Sequence, residues 1–267
     1  MSETFVAFDL ETSGKYPLDA EICEIGAVKW REGKIIDTFQ TLIKPSKPMG
    51  EEVIKIHNIT NEMVADAPAI SDKIGEFRQF LGDSYGIAHH APFDLGFLMI
   101  EFERAGLTAP LRPNFCTSLL ARKVIPESHN HRLKTLVDYL QIPLKQAHRA
   151  LDDAEACLGV ALKCFERAGD IGIEKWLALQ GGGLLWSNYS MQALEAKPQL
   201  SILIQAIRAG GTTVQLVYDG GSRPGQPREV KPIGLVRNPD GDFLVAVEAG
   251  DVKPKRYLLE KITAANL

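Results

Sequence analysis

Phe5-Val6-Ala7-Phe8-Asp9-Leu10-Glu11-Thr12-Ser13-Gly14 is the stretch that decides how this 267-residue chain is built. Its apolar half reads as a buried strand, and side chains on a strand alternate between faces, so Asp9 and Glu11 emerge together on one face. Two carboxylates that close repel unless a cation lies between them, which points to a hard divalent ion such as Mg²⁺ or Mn²⁺. Two further blocks carry acids in a similar apolar or small-residue setting. They are His89-His90-Ala91-Pro92-Phe93-Asp94-Leu95-Gly96-Phe97-Leu98 and His148-Arg149-Ala150-Leu151-Asp152-Asp153-Ala154. Four acids and a histidine are what a two-metal phosphoryl-transfer site requires.

Within the third block, spacing leaves two readings open. On a continuous helix Asp152 shares a face with His148 and Asp153 is turned away. If His148 precedes the helix in a loop, either acid can meet it. Asp94 and Asp152 also fit the bland role of first-turn acids that complement a helix dipole.

Composition bounds these ideas. The chain is 45% hydrophobic and 24% charged, as folded globular proteins are, and its length suits two modest domains. No apolar run is long enough to span a membrane, and the start Met1-Ser2-Glu3 is unlike a signal peptide. Cys23, Cys116, Cys157 and Cys164 show no metal-binding spacing, so free buried thiols in a reducing cytoplasm are expected. Net charge is −4, but unevenly spread: residues 1–170 carry 19 basic and 25 acidic side chains, residues 171–267 carry 11 and 9. Residues 112–149 run against the acidic trend, with Arg112, Arg122, Lys123, Arg132, Lys134, Lys145 and Arg149 facing only Glu127 and Asp138. Basic surface beside an acidic metal site suits a phosphate-backbone substrate; solvated helix faces are the plainer account of any one of them.

Along the chain, strand patterns at Thr4–Leu10, Ile22–Trp30 and Ile35–Ile43 predict an antiparallel meander turning at Gly33. Ile70, Ile74, Phe77, Phe80 and Leu81 recur at helical spacing, Tyr85–His89 reads as a strand, and Pro92 opens a helix to Arg104. Helices follow at Cys116–Lys123, Leu133–Leu140 and Ala150–Ala168. The expected result is a mixed sheet covered by helices over residues 1–170. Gly181-Gly182-Gly183 and Lys197-Pro198 place a linker at 171–199. A helix at Leu200–Arg208 and short strands after it predict a small β domain over 200–267.

Residues 4 to about 168 resemble the DEDDh exonucleases, through Phe8-Asp9-Leu10-Glu11-Thr12-Ser13-Gly14, His57-Asn58-Ile59-Thr60, Ala88-His89-His90-Ala91-Pro92-Phe93-Asp94 and His148 to Ala154. The resemblance implies an RNase H-like fold and stepwise 3′→5′ release of nucleoside 5′-monophosphates. By the family's spacing it makes Asp153 the ligand and His148 the general base. Asp9, Glu11, Asp94 and Asp153 then hold two Mg²⁺ ions, with Mn²⁺ substituting. Leu10, Thr12, Ser13, Gly14, Ile56, His57 and Phe93 form the terminal-nucleotide pocket. Implied partners are single-stranded DNA or RNA 3′ ends, with DNA favoured, and a polymerase or repair complex. His90 stands where the family usually carries Asn, and Asn58 where Gly is common; Asn is the non-glycine that best tolerates a left-handed backbone.

Residues 200–267 resemble the WYL domain, an SH3-like barrel of bacterial regulators. The matching residues include Val214-Gln215-Leu216-Val217-Tyr218, Arg228-Glu229-Val230-Lys231-Pro232 and Lys255-Arg256-Tyr257-Leu258. Asp242-Phe243-Leu244 replaces the name-giving triplet. That resemblance implies strand binding by Arg228, Lys231, Lys255 and Arg256, with stacking on Tyr218 or Tyr257 unless those rings are core. The rival to an enzyme is a regulator that recognises 3′ ends without hydrolysing them.

Overall fold

The computed structural model describes residues 3–143 and 148–267; Lys145 of the basic stretch lies outside them. The chain divides into two compact units, one holding Ile22–Asn188 with the chain up to Ser13, the other holding Gly14–Glu21 with Tyr189–Leu267.

The first unit contains β1 (Phe5–Thr12), β2 (Ile22–Arg31), β3 (Lys34–Leu42), α1 (Glu51–His57), α2 (Ile70–Leu81) and β4 (Tyr85–Ala88). After these come α3 (Pro92–Arg104), β5 (Asn114–Cys116), α4 (Thr117–Val124), α5 (Leu133–Leu140), α6 (Ala150–Ala168) and α7 (Ile173–Leu179). The sheet order is β3-β2-β1-β4-β5. β1, β2 and β3 form the antiparallel meander expected from the sequence, while β4 and β5 join parallel to β1 and to each other.

Alternation sorts the central strands. Phe5 and Ala7 of β1 and Val28 and Trp30 of β2 belong to the core that Ala156, Cys157, Val160, Ala161 and Phe165 of α6 complete. The same periodicity carries Asp9 and Glu11, and Glu24 and Gly26, onto the face that α6 covers. Phe8 points the other way, to Phe77 of α2 and to Trp186, whose rings lie 6.3 and 5.9 Å from it. Each such fully buried aromatic contributes roughly 1.5–3 kcal/mol by leaving water, and the pairing fixes which face β1 shows to α6.

Pro92 occupies the first turn of α3, where its missing N–H costs nothing. Asn58 ends α1 at φ 58°, donating its N–H to Ile54 O, so the Asn in place of Gly does adopt the left-handed conformation. His90 is also left-handed, at φ 57°, a backbone conformation in which Asn and His are both enriched among non-glycine residues. The four cysteines are free and buried.

Residues expected to be a linker are structured. Trp176 of α7 stacks on Phe165 at 4.4 Å and donates to Gly169 O, and Leu184 bridges to Asn114. Ring stacking and backbone hydrogen bonding thus order this glycine-rich stretch, and the divide falls at Asn188 and Tyr189.

The second unit contains α8 (Gln192–Glu195), α9 (Pro198–Arg208), β6 (Val214–Tyr218), β7 (Pro227–Val236), β8 (Phe243–Glu248), β9 (Lys255–Leu258) and β10 (Ile262–Asn266). Its strands form an antiparallel sheet of order β10-β6-β7-β8-β9. The expected barrel is not closed: β9 pairs with β8 and β10 with β6, and among the described residues no pairing joins β9 to β10, so the sheet is open. Gly234 in β7 has no room for a side chain, since a Cβ there would stand 2.2 Å from Cγ of Tyr16 in the same unit.

Candidate active site

Asp9 and Glu11 sit at the C-terminal end of β1, half-buried, with Leu10 between them pointing into the core. The Leu10 N–H donates to Asp94 Oδ1 at 3.1 Å, which draws the first turn of α3 against the acidic end of β1. Asp94 is only 2% exposed. From the other side, α6 supplies Asp153, whose Oδ2 accepts the His148 N–H at 2.9 Å. His148 itself is exposed and left-handed, at φ 62°, so it belongs to the entry into α6 and not to a regular turn of it.

One ligand atom each from Glu11, His148 and Asp153 lies within 4.8 Å of the others. Asp152 is not among them; of the two acids in the third block, Asp153 is the one that meets Glu11 and His148. The turn at His148 is the reason, since it removes the continuous-helix spacing that would have favoured Asp152.

The electrostatics are those of a site short of positive charge. Burial raises the Asp9 carboxyl well above its usual range, and Asp94, Glu11, Asp153 and Glu24 add to the effect. Burial likewise raises Asp94 well above its range despite the Leu10 N–H. Glu11 is pushed to about 8 by burial and then by Asp153 and Glu24, with Arg149 opposing. Asp153 is raised mainly by burial, against the stabilising His148 N–H. Four crowded carboxyl groups that resist ionising together are an oxygen donor set fitted to a hard divalent cation.

Glu24 was not singled out by sequence, although a lone acid in Ile22-Cys23-Glu24-Ile25-Gly26-Ala27 was a signal. It is 0% exposed and sits opposite Glu11 in the β1–β2 register. Its carboxylate accepts from Arg149 Nη2 at 2.8 Å and Nε at 3.2 Å, from the Ala150 N–H at 3.0 Å and from Gln40 Nε2 at 3.0 Å. Burial would raise its ionisation range, but these donors more than offset it and leave it lowered.

The remaining expected residues divide. Thr12 and His57 are buried, Ser13 and Gly14 half-buried. The His57 ring accepts the Ile59 N–H at Nδ1 and places Nε2 3.9 Å from Cys23 Sγ, so it is held within the first unit. Ile56 and Phe93 are 53% and 38% exposed, unusual for side chains so apolar. His89 is half-buried and driven to about 3, by loss of solvation first and then by His90, so it stays neutral. In the basic stretch Arg112 pairs with Glu3 and Asp83, Lys134 with Asp138 and Arg149 with Glu24, while Arg122, Lys123 and Arg132 are exposed.

In the second unit Arg228 is buried, its guanidinium 5.6 Å from the Tyr218 ring centre and 5.9 Å from that of Tyr257. Both rings are core, packed edge to face at 5.1 Å. Lys255 pairs with Glu248 and Asp251. Lys231 and Arg256 are exposed, Arg256 over the ring of Phe243.

A mixed sheet of this order, with acids gathered at the end of its central strand and helices on both faces, is an RNase H-like exonuclease fold. The profile of the RNase_T family, described as Exonuclease, matches residues 6–161, and the chain belongs to that family. It is 38% identical over 172 residues to DNA polymerase III PolC-type of Bacillus cereus, and 39% identical over 173 residues to that of Bacillus subtilis. Each match takes in 64% of this chain and 12% of the relative, so the chain spans a small part of those proteins. Exonuclease X in complex with 5′ overhanging duplex DNA superposes with a TM-score of 0.54 at 26% identity, over 66% of this chain and 99% of that one. E. coli Exonuclease I in complex with a dA16 oligonucleotide superposes at 0.57 over 94% of this chain and 56% of that one; at 17% identity this is a likeness of fold.

Proposed function

We propose that this enzyme is a metal-dependent 3′→5′ exonuclease that shortens single-stranded nucleic acid, DNA in preference, releasing nucleoside 5′-monophosphates. The observation that carries the reading is the convergence of Glu11, His148 and Asp153 at the end of β1, where half-buried Asp9 and buried Asp94 also lie. Asp9, Glu11, Asp94 and Asp153 would hold Mg²⁺, or Mn²⁺ in its place, as two ions. Such ions, when bound, polarise the phosphoryl oxygens and ease ionisation of water.

The chain's own groups do the rest. His148 Nδ1 or Nε2, exposed beside Asp153, accepts the proton of the attacking water, the general-base task that imidazole commonly performs. Thr12 and Ser13, following directly on the acids, and the His57 segment frame the terminal nucleotide. Ile56 and Phe93 offer apolar surface to its base, consistent with their exposure, and Leu10 backs the strand between the acids. Preference for DNA draws on relatives named for DNA polymerase and on neighbours bound to DNA, and the same relatives suggest a polymerase or repair complex. The second unit is read as a WYL-like module that steadies the strand through exposed Lys231 and Arg256. Among the described residues no helix is long and apolar enough to cross a membrane, and a cytoplasmic site of action is part of the proposal.

The test is incubation of the purified chain with 5′-labelled single-stranded DNA and RNA, with Mg²⁺, with Mn²⁺ and with EDTA. A ladder shortening from the 3′ end only with metal supports the proposal, and the faster substrate identifies the preferred sugar. Binding without a ladder under either metal would make the protein a 3′-end-recognising regulator instead.

A further inference from the structure

Glu24 and Arg149 bind each other through two hydrogen bonds, at 2.8 and 3.2 Å, across 125 residues of sequence. Such a forked pair fixes orientation as well as distance, which a lysine does not reproduce. Arg149 is the residue between His148 and Ala150, the first residue of α6. Glu24 Oε2 also accepts the Ala150 N–H at 3.0 Å. The N-cap residue, Arg149, has no side-chain cap of its own, so Glu24 satisfies one of the donors that a helix start leaves unpaired, from a neighbouring strand.

Gly26, two residues on and on the same face of β2, completes the seat. A Cβ there would lie 2.1 Å from Leu151 N, so the start of α6 rests directly on β2 backbone. Carboxylate and glycine together hold Arg149, Ala150 and Leu151. The His148 N–H is tied to Asp153 in the first turns of the same helix.

We propose that Glu24 and Arg149 are positioning residues that act through His148, aligning the imidazole for proton transfer without touching substrate or metal. The inference rests on the exonuclease reading above. A fork one residue from the base governs its direction, and a misplacement of about 1 Å can cost roughly 100-fold in rate.

The experiment compares Arg149→Met, Arg149→Lys and Glu24→Gln with the unaltered chain on 5′-labelled single-stranded DNA in Mn²⁺, each alone and in a His148→Ala background. The expected result for Arg149→Met is a loss in kcat of about 10- to 100-fold. KM should stay nearly unchanged, and no further loss should appear once His148 is absent. Arg149→Lys, which keeps the charge and loses the fork, should show a smaller loss and serves if Arg149→Met does not fold. Residues that work as one unit are non-additive, whereas loosening of the fold adds to any other defect. Unchanged kcat in all three variants, or a loss that adds in full to that of His148→Ala, overturns the inference while leaving the exonuclease reading standing. Absence of hydrolysis by the unaltered chain overturns both, and is visible before any variant is made.

Discussion

Asp153 Oδ2 accepts the backbone N–H of His148 at 2.9 Å, so the acid that would bind metal also fixes the residue that would take the proton. One side chain thereby joins two functions. Asp153→Ala should reduce hydrolysis to background, as should Asp9→Ala, while circular dichroism and melting temperature stay close to those of the unaltered chain. Turnover surviving in either purified variant would remove that residue from the site.

His148 is exposed and buries little, so its removal should leave the fold alone. His148→Ala should lower kcat by about 10²–10⁴-fold, the usual contribution of a positioned base. Mn²⁺ affinity, followed by calorimetric titration, should hardly move, because the acids remain. A kcat within a factor of two would exclude the base role.

The metal-free protein should lose stability as pH rises. Glu11 ionises near its ordinary 4.5 in the unfolded chain and at about 8 in the fold, so the folded state holds the extra proton across that window. Stability is then fully present below about 4.5 and declines as pH rises through about 8. Asp9, Asp94 and Asp153, raised in the same direction, steepen the decline. Melting curves from pH 5 to 9 in EDTA should show the fall, and Mn²⁺ should restore the upper end. A melting temperature that rises with pH in EDTA would contradict the assigned burial of these acids.

Gly26 tests the seat of α6. A methyl group at 2.1 Å from Leu151 N forces backbone to move, so Gly26→Ala should cost about 1–3 kcal/mol, as overpacking does. Chemical denaturation measures this directly. A neutral result would mean that α6 shifts freely on β2.

Asn58 tests the turn out of α1. At φ 58° a residue with a Cβ and no compensating polar group is strained, so Asn58→Ala should destabilise by about 1 kcal/mol and Asn58→Gly should be neutral or better. Equal stability of the two variants would remove the conformational argument.

The sequence determined a good deal by itself. Period-two alternation through Phe5 to Glu11 was enough to predict a core strand crowned by two acids, and α3, α5 and α6 span the residues their periodicity indicates, with Pro92 opening α3 and Gly169 following α6. Those features are local, written within a dozen residues. The helix α1 and the strand β5 escaped notice because seven and three residues give too little repetition to register. The linker expected at 171–199 proved partly folded, since Trp176 and Leu184 find partners in Phe165 and Asn114 that composition cannot reveal.

Tertiary structure alone decided the rest of the site. Whether Asp152 or Asp153 meets His148 depends on a single left-handed turn ahead of α6, and the open sheet of the second unit depends on where β9 and β10 come to lie. The buried role of Glu24 depends on Arg149, 125 residues away. Backbone alternation and helix punctuation act between neighbours, so a linear reading captures them. Charge pairing and close backbone approach act through space, and only the folded chain brings Glu24 and Gly26 beneath the start of α6.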